Sequence, residues 1–141
     1  MKNIDVVTLF PEILDEYINS SPFKKNLPSS IDISTHQLRD FSDDKHKKVD
    51  DTQYGIEPGM VLMPEPLSKA VDYIEKSRNK KAYTVLLSPQ GELVSHNILE
   101  KLFEKESLIF ICGRYEGVDE RFIDKCLEKK NPGQQHKTIN N

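Results

Sequence analysis

The sequence predicts an α/β fold: a mostly parallel sheet with helices on both faces. Two observations lead there. Short runs of strand length alternate along the chain with segments whose apolar residues recur at three- and four-residue spacing. Two of those runs, Tyr83–Leu87 and Leu108–Cys112, read as continuous apolar strands, the pattern of strands covered on both sides.

Taken in order, Ile4–Phe10 is a β-branched and aromatic run of strand length. Pro11 follows where a helix can begin, because the first turn has no use for the missing N–H. Glu12, Asp15 and Glu16 put negative charge near the positive helix end, and Ile13, Leu14, Tyr17 and Ile18 form one stripe, so residues 11–19 are predicted helical. Ser20-Ser21-Pro22 ends that helix. Residues 31–35 (IDIST) alternate like a half-exposed strand, and residues 42–59, with no periodic apolar pattern, read as a long loop. Leu67, Ala70, Val71 and Ile74 mark a helix. Ser88-Pro89-Gln90-Gly91 is a strong turn signal closing the 83–87 strand, and Gly113 breaks the 108–112 strand. Ile98, Leu99, Leu102 and Phe103 stripe another helix, and Val118, Phe122, Ile123, Cys126 and Leu127 a last one. The stretch 129–141, KKNPGQQHKTINN, holds one apolar residue, Ile139. It is expected to be a disordered polar tail behind a single domain at 1–128.

Composition bounds the function. With 36% hydrophobic and 30% charged residues and a mean hydropathy of −0.60, the 141-residue chain predicts a core carrying a long polar stretch. No run approaches the roughly 20 apolar residues of a membrane span, and MKNIDVVTLFPE is too short in its apolar part for a signal peptide. A cytoplasmic protein with no membrane partner is expected. Cys112 and Cys126 lack C-x-x-C spacing and are expected to be reduced. A net charge of −3 gives no general electrostatic case for nucleic acid. RNA contact would fall to local groups, either Lys45, Lys47 and Lys48 or Arg78, Lys80 and Lys81.

Neither a G-x-G-x-x-G after the first strand nor a P-loop is present. His36, His46, His96 and His136 are scattered, with no i, i+4 pair, so no metal site is assigned. Ligands in open parallel sheets bind beyond the carboxyl ends of the strands, where the segments 88–91 and 113–117 stand. Gly113 and Gly117 permit positive φ and close backbone approach, and exposed backbone groups there can hydrogen-bond a purine edge. Either segment alone also reads as a structural turn. The stretch LRDFSDDKHKKVDDTQYGIEPGM is the richest in reactive side chains. Arg39 can grip phosphate as a bidentate fork, and His46 lies near Asp43, Asp44, Asp50 and Asp51. A solvated charged loop is the alternative reading.

LFPE, RDF-x-x-D-x-H-x-x-VDD-x-x-YG, PGM, PEPL, LSPQG and CGRYEGVDER occur in the order seen in bacterial tRNA (guanine-N1)-methyltransferases. The chain resembles that family of knotted (SPOUT) methyltransferases over about residues 4–126. The resemblance implies an S-adenosylmethionine-dependent enzyme. It would act as a homodimer on tRNA, methylating N1 of the guanosine at position 37. It places adenosyl-cofactor binding on Leu86, Leu87, Ser88, Pro89, Gly113, Tyr115 and Glu116, and the target-base or RNA side on Arg39, His46, Asp50, Gly59 and Arg114.

Two departures from the family pattern stand out. Ile56 and Glu57 occupy positions where the family has glycines, so positive φ there would be strained, and Glu57 adds a negative charge facing RNA. Past Cys126, the glycine-rich strand and loop that complete the knot are not recognisable. Nor is the tRNA-binding carboxyl-terminal domain, nor the aspartate and arginine that serve as base and helper. Guanine N1 carries a proton, and a positioned base contributes about 10²–10⁴ in rate. The expectations are therefore an incomplete knot, no catalytic residue assigned with Glu116 or Asp50 as substitutes, and an enzyme impaired by truncation. A non-catalytic adenosyl-binding or dimerising remnant of the family is the alternative, and an unrelated nucleotide-binding α/β domain the third reading.

Overall fold

The computed structural model describes residues 1–43, 50–52, 60–62, 64–112, 117–118 and 136–140. Five strands form an all-parallel sheet: β1 (Lys2–Thr8), β2 (Ile31–Gln37), β5 (Tyr83–Leu93), β6 (Ser107–Cys112) and β8 (His136–Asn140). Their spatial order is β2-β1-β6-β5-β8. β3 (Asp50–Thr52), β4 (Met60–Leu62) and β7 (Gly117–Val118) make a second, three-stranded sheet in which β4 is central.

The predicted architecture is present, with helices on both faces. Side chains alternate across the pleat, so Val7, Leu86, Ile109 and Ile111 share one face. There they pack with Leu67, Ala70 and Ile74 of α3 (Pro64–Arg78). The other face carries Val85 and Leu108, packed with Ile98 and Leu102 of α4 (His96–Phe103). α1 (Pro11–Ile18) lies on this second side, where Thr35 donates a 2.6 Å hydrogen bond to Asp15. Burying the α3 stripe at about 25 cal/mol per Å² is the main apolar contribution holding that layer to the sheet.

Helix ends follow local chemistry. Ser95 caps α4 by accepting the N–H of Ile98. α3 closes with Asn79 at φ 54°, the left-handed position that Asn tolerates better than most residues. The Lys80 N–H then bonds the Glu75 carbonyl and the Asn79 N–H the Lys76 carbonyl, which satisfies two orphan acceptors of the last turn.

Several expectations need correction. Residues 136–140 are not a disordered tail: they form β8 and pair with β5 from Thr84↔His136 onward. Strand pairing uses backbone N–H and C=O groups, so a polar sequence can satisfy a free sheet edge that its composition does not reveal. Residues 129–135 lie outside the described ones. The turn expected at 88–91 is instead an irregularity within β5: Leu87 and Glu92 both oppose Ile139, so the residues between them leave the β8 ladder without ending the strand. The loop at 42–59 contains β3, which pairs antiparallel with β4. A further short helix, α2 (Ser21–Asn26), follows α1. Val118, expected in a helix, is in β7, and the rest of that predicted helix falls outside the described residues.

Candidate functional site

All strands of the main sheet run the same way, so their carboxyl ends lie along one edge. Leu87 of β5 pairs directly with Cys112 of β6. The start of the irregular part of β5 and the end of β6 therefore lie at the same level on neighbouring strands. Leu87 is half-buried on the α4 side, whereas Leu86 fills the α3 core and is bracketed in register by Ile111 and Thr138. Its side chain belongs to the floor beneath the edge rather than to an open surface. Ser88 and Pro89 lie in the irregular part of β5, whose backbone groups are released from the β8 ladder. Cys112 is a free thiol at the rim, and burial pushes its pKa up. It is thus a neutral small side chain at neutral pH, not an activated nucleophile.

Two strands further along the same edge, β2 ends at Gln37 and enters a short 3-10 helix, Leu38–Phe41, which carries Arg39. Leu38 is 1% exposed and anchors this turn in the α3-side core. Phe41 packs against that core, and its ring centroid lies 5.5 Å from that of Tyr73 on α3. Lys69 of α3 pairs with Asp43 just beyond. The arginine segment is thus seated on α3, at the same edge of the sheet as Leu87 and Cys112.

Asp50 lies in β3, opposite Leu62 of β4. β4 in turn pairs with β7, Val61 opposite Gly117 and Leu62 opposite Val118. The small sheet therefore connects the segment bearing Asp50 with the strand that directly follows Gly113–Glu116 in sequence. No periodicity foretold this link, because each of these strands has three residues or fewer. Of the other sequence-derived site residues, His46, Gly59, Gly113, Arg114, Tyr115 and Glu116 lie outside the described residues, as do Ile56 and Glu57.

Of the basic trio Arg78, Lys80 and Lys81, the first is taken up inside the fold. Arg78 turns toward the sheet and bonds Asp5, Asp32 and Ser34. Lys81 pairs with Glu75 at 3.1 Å. A cation in the last turn of α3 complements the helix end and is drawn to the buried carboxylate beside it. Lys45, Lys47 and Lys48 are outside the described residues.

The family model for tRNA (Guanine-1)-methyltransferase TrmD matches residues 1–132. The chain belongs to this family. Among curated TrmD-family relatives, the tRNA (guanine-N(1)-)-methyltransferase of Sulfurihydrogenibium sp. is 48% identical over 119 residues, covering 84% of this chain and 46% of that protein. That of Dictyoglomus turgidum is 47% identical over 122 residues, covering 86% and 49%. Among solved structures, the tRNA (m1G37) methyltransferase from Aquifex aeolicus superposes with a TM-score of 0.75 at 34% identity, covering 87% of this chain and 56% of that one. The chain spans about half the length of the curated relatives it matches. Among the described residues, no helix is long and apolar enough to cross a membrane.

Proposed function

We propose that the chain provides the cofactor-binding half of a tRNA (guanine-N1)-methyltransferase. On this reading it binds S-adenosylmethionine at the carboxyl edge of the sheet and presents it to guanosine 37 of tRNA. The register pair Leu87↔Cys112 supports this reading, since it sets the first residue of LSPQG opposite the first residue of CGRYEG on adjoining strands. The residues fit an adenosyl group. Leu87 offers an apolar wall, and the backbone of 88–91, free of the β8 ladder, offers donors and acceptors for a purine edge without charged side chains. Ser88, Pro89, Gly113, Tyr115 and Glu116 complete the proposed pocket, with Leu86 as packed support.

When bound, the cofactor supplies an electrophilic methyl group. The protein's part is to orient guanine N1 toward it, because restricting the reacting atoms to a near-attack geometry removes much of the entropic barrier. N1 must also lose its proton. Arg39, His46, Asp50, Gly59 and Arg114 are assigned to the RNA and target-base side, where Arg39 would hold phosphate through its planar fork. Homodimerisation is part of the same proposal. Ile13 of α1 and Phe103 of α4, 68% and 67% exposed, lie on helices of one sheet face and would be covered by a second copy. A cytoplasmic location is proposed with it.

Calorimetry with S-adenosylhomocysteine, followed by transfer of labelled methyl to tRNA, tests the reading. Saturable binding lost on Leu87→Lys, together with multiple turnovers, is the expected outcome. Binding without transfer assigns the chain the non-catalytic adenosyl-binding role. No binding removes the proposal and leaves a folded family member with another use.

A further inference from the structure

We propose that Gln37 is a positioning residue for Arg39. This rests on the reading of Arg39 as an RNA-side group and adds how its place is held. Gln37 is the last residue of β2, in register with Thr8 at the end of β1. Its amide makes two hydrogen bonds of opposite sense across the carboxyl edge. Oε1 accepts the Arg39 N–H at 3.1 Å and so caps the 3-10 turn. Nε2 donates to the Leu9 carbonyl at 3.1 Å.

The opposite amide orientation would set N–H against N–H and C=O against C=O, so these two partners admit only this arrangement. Leu9 is buried in the same core as Leu38, the residue between Gln37 and Arg39. The Arg39 backbone is therefore held from before by Gln37, from below by Leu38 and from after by Phe41 against Tyr73. Removing the amide breaks the tie between the β1 exit and the arginine turn while the hydrophobic anchors persist. The turn stays docked, but the guanidinium loses its fixed origin. A displacement near 1 Å at such a group is enough to reduce transfer about 10²-fold in a well-aligned site.

The test compares Gln37→Ala, Gln37→Glu, Arg39→Ala and the Gln37→Ala/Arg39→Ala double variant of the full chain. Each is assayed for tRNA binding, S-adenosylhomocysteine binding and amide hydrogen exchange at Arg39. Gln37→Ala should weaken tRNA binding about fivefold, the scale of one net hydrogen bond. It should leave the cofactor analogue bound as before and speed exchange of the Arg39 amide. The double variant should bind tRNA no worse than Arg39→Ala, because residues acting through one another are not additive. Gln37→Glu keeps the capping acceptor and should retain Arg39 amide protection, which also covers the case that the alanine variant does not fold. Unchanged exchange at Arg39 in Gln37→Ala, or additive losses in the double variant, overturns the proposal. If Arg39→Ala binds tRNA normally, the RNA-side reading of Arg39 fails instead, and the exchange rates still decide whether Gln37 holds the turn.

Discussion

Arg78, at the end of α3, closes a two-pronged contact on Asp5 of β1, with Nη2 3.1 Å from Oδ1 and Nε 3.3 Å from Oδ2. The Asp5 side chain is 1% exposed, and His36 Nε2 stands 2.8 Å from the same Oδ1. The guanidinium also reaches Asp32 at 2.7 Å and Ser34 at 3.2 Å, so it joins the helix to two adjacent strands. A carboxylate buried at this depth would be costly alone, and its hydrogen-bonded partners make it tolerable.

Arg78→Met should therefore destabilise the fold by about 3 kcal/mol, since it leaves Asp5 buried without the two guanidinium hydrogen bonds. Asp32→Asn removes a contact that is 43% exposed on the acidic side and should cost under about 1 kcal/mol. Urea unfolding of the two variants checks the ordering. Equal losses would mean that the burial of Asp5 is not what gives the contact its value.

Burial raises the pKa of Asp5, but hydrogen bonds from His36 and Arg78 and their charges outweigh it, so the carboxyl titrates below its ordinary value. A group depressed in the folded state binds its proton first when unfolded. Its stabilisation is thus present above the ordinary carboxylate pKa, about 4, and is lost as pH falls through the lower folded value. Urea midpoints measured from pH 7 downward should drop below about pH 4. Asp5→Asn should be less stable at neutral pH and lose less on acidification. A variant that keeps the full acid slope would assign the slope to other carboxylates.

Cys112 should react slowly with iodoacetamide at neutral pH, because burial keeps the thiol protonated. Raising the pH through the ordinary thiol range should bring less reaction than in the unfolded chain. If the proposed adenosyl site is right, S-adenosylhomocysteine should slow the reaction further, since Cys112 is paired with Leu87 at the rim. Peptide mass mapping separates Cys112 from Cys126.

Ser95→Ala should cost about 1 kcal/mol through loss of the α4 cap, while Ile109→Ala, at the centre of the α3-side core, should cost about 2–5 kcal/mol. Thermal unfolding of both distinguishes a local end effect from a cavity. Comparable shifts would indicate that the α3-side core relaxes around the smaller residue.

Periodicity alone identified α3 and α4, but not which stripe residues find a partner. Leu67, Ala70 and Ile74 are buried as their spacing implied, yet Ile13 and Tyr17 of α1 and Leu99 and Phe103 of α4 remain exposed. An apolar stripe says that a surface needs covering, not what covers it. Asp5 shows the converse. Nothing in the local sequence names a partner for this acid within an apolar strand, and only the fold brings up Arg78, 73 residues away in sequence, to neutralise it.

Local sequence was sufficient for the longer strands and helices, the α/β class and the family motifs, because pleat and helix period act over a few neighbouring residues, but not for α2, the short strands or the course of β5 through 88–91. Three further matters depended on chain segments distant in sequence meeting in space: the pairing of Leu87 with Cys112, the capture of residues 136–140 by the edge of β5, and the seating of Arg39 by Gln37 and Leu9. Backbone ladders and buried amide bonds carry little compositional signature, since almost any residue can supply an N–H and a C=O. Their partners are selected by geometry, which exists only once the sheet has assembled.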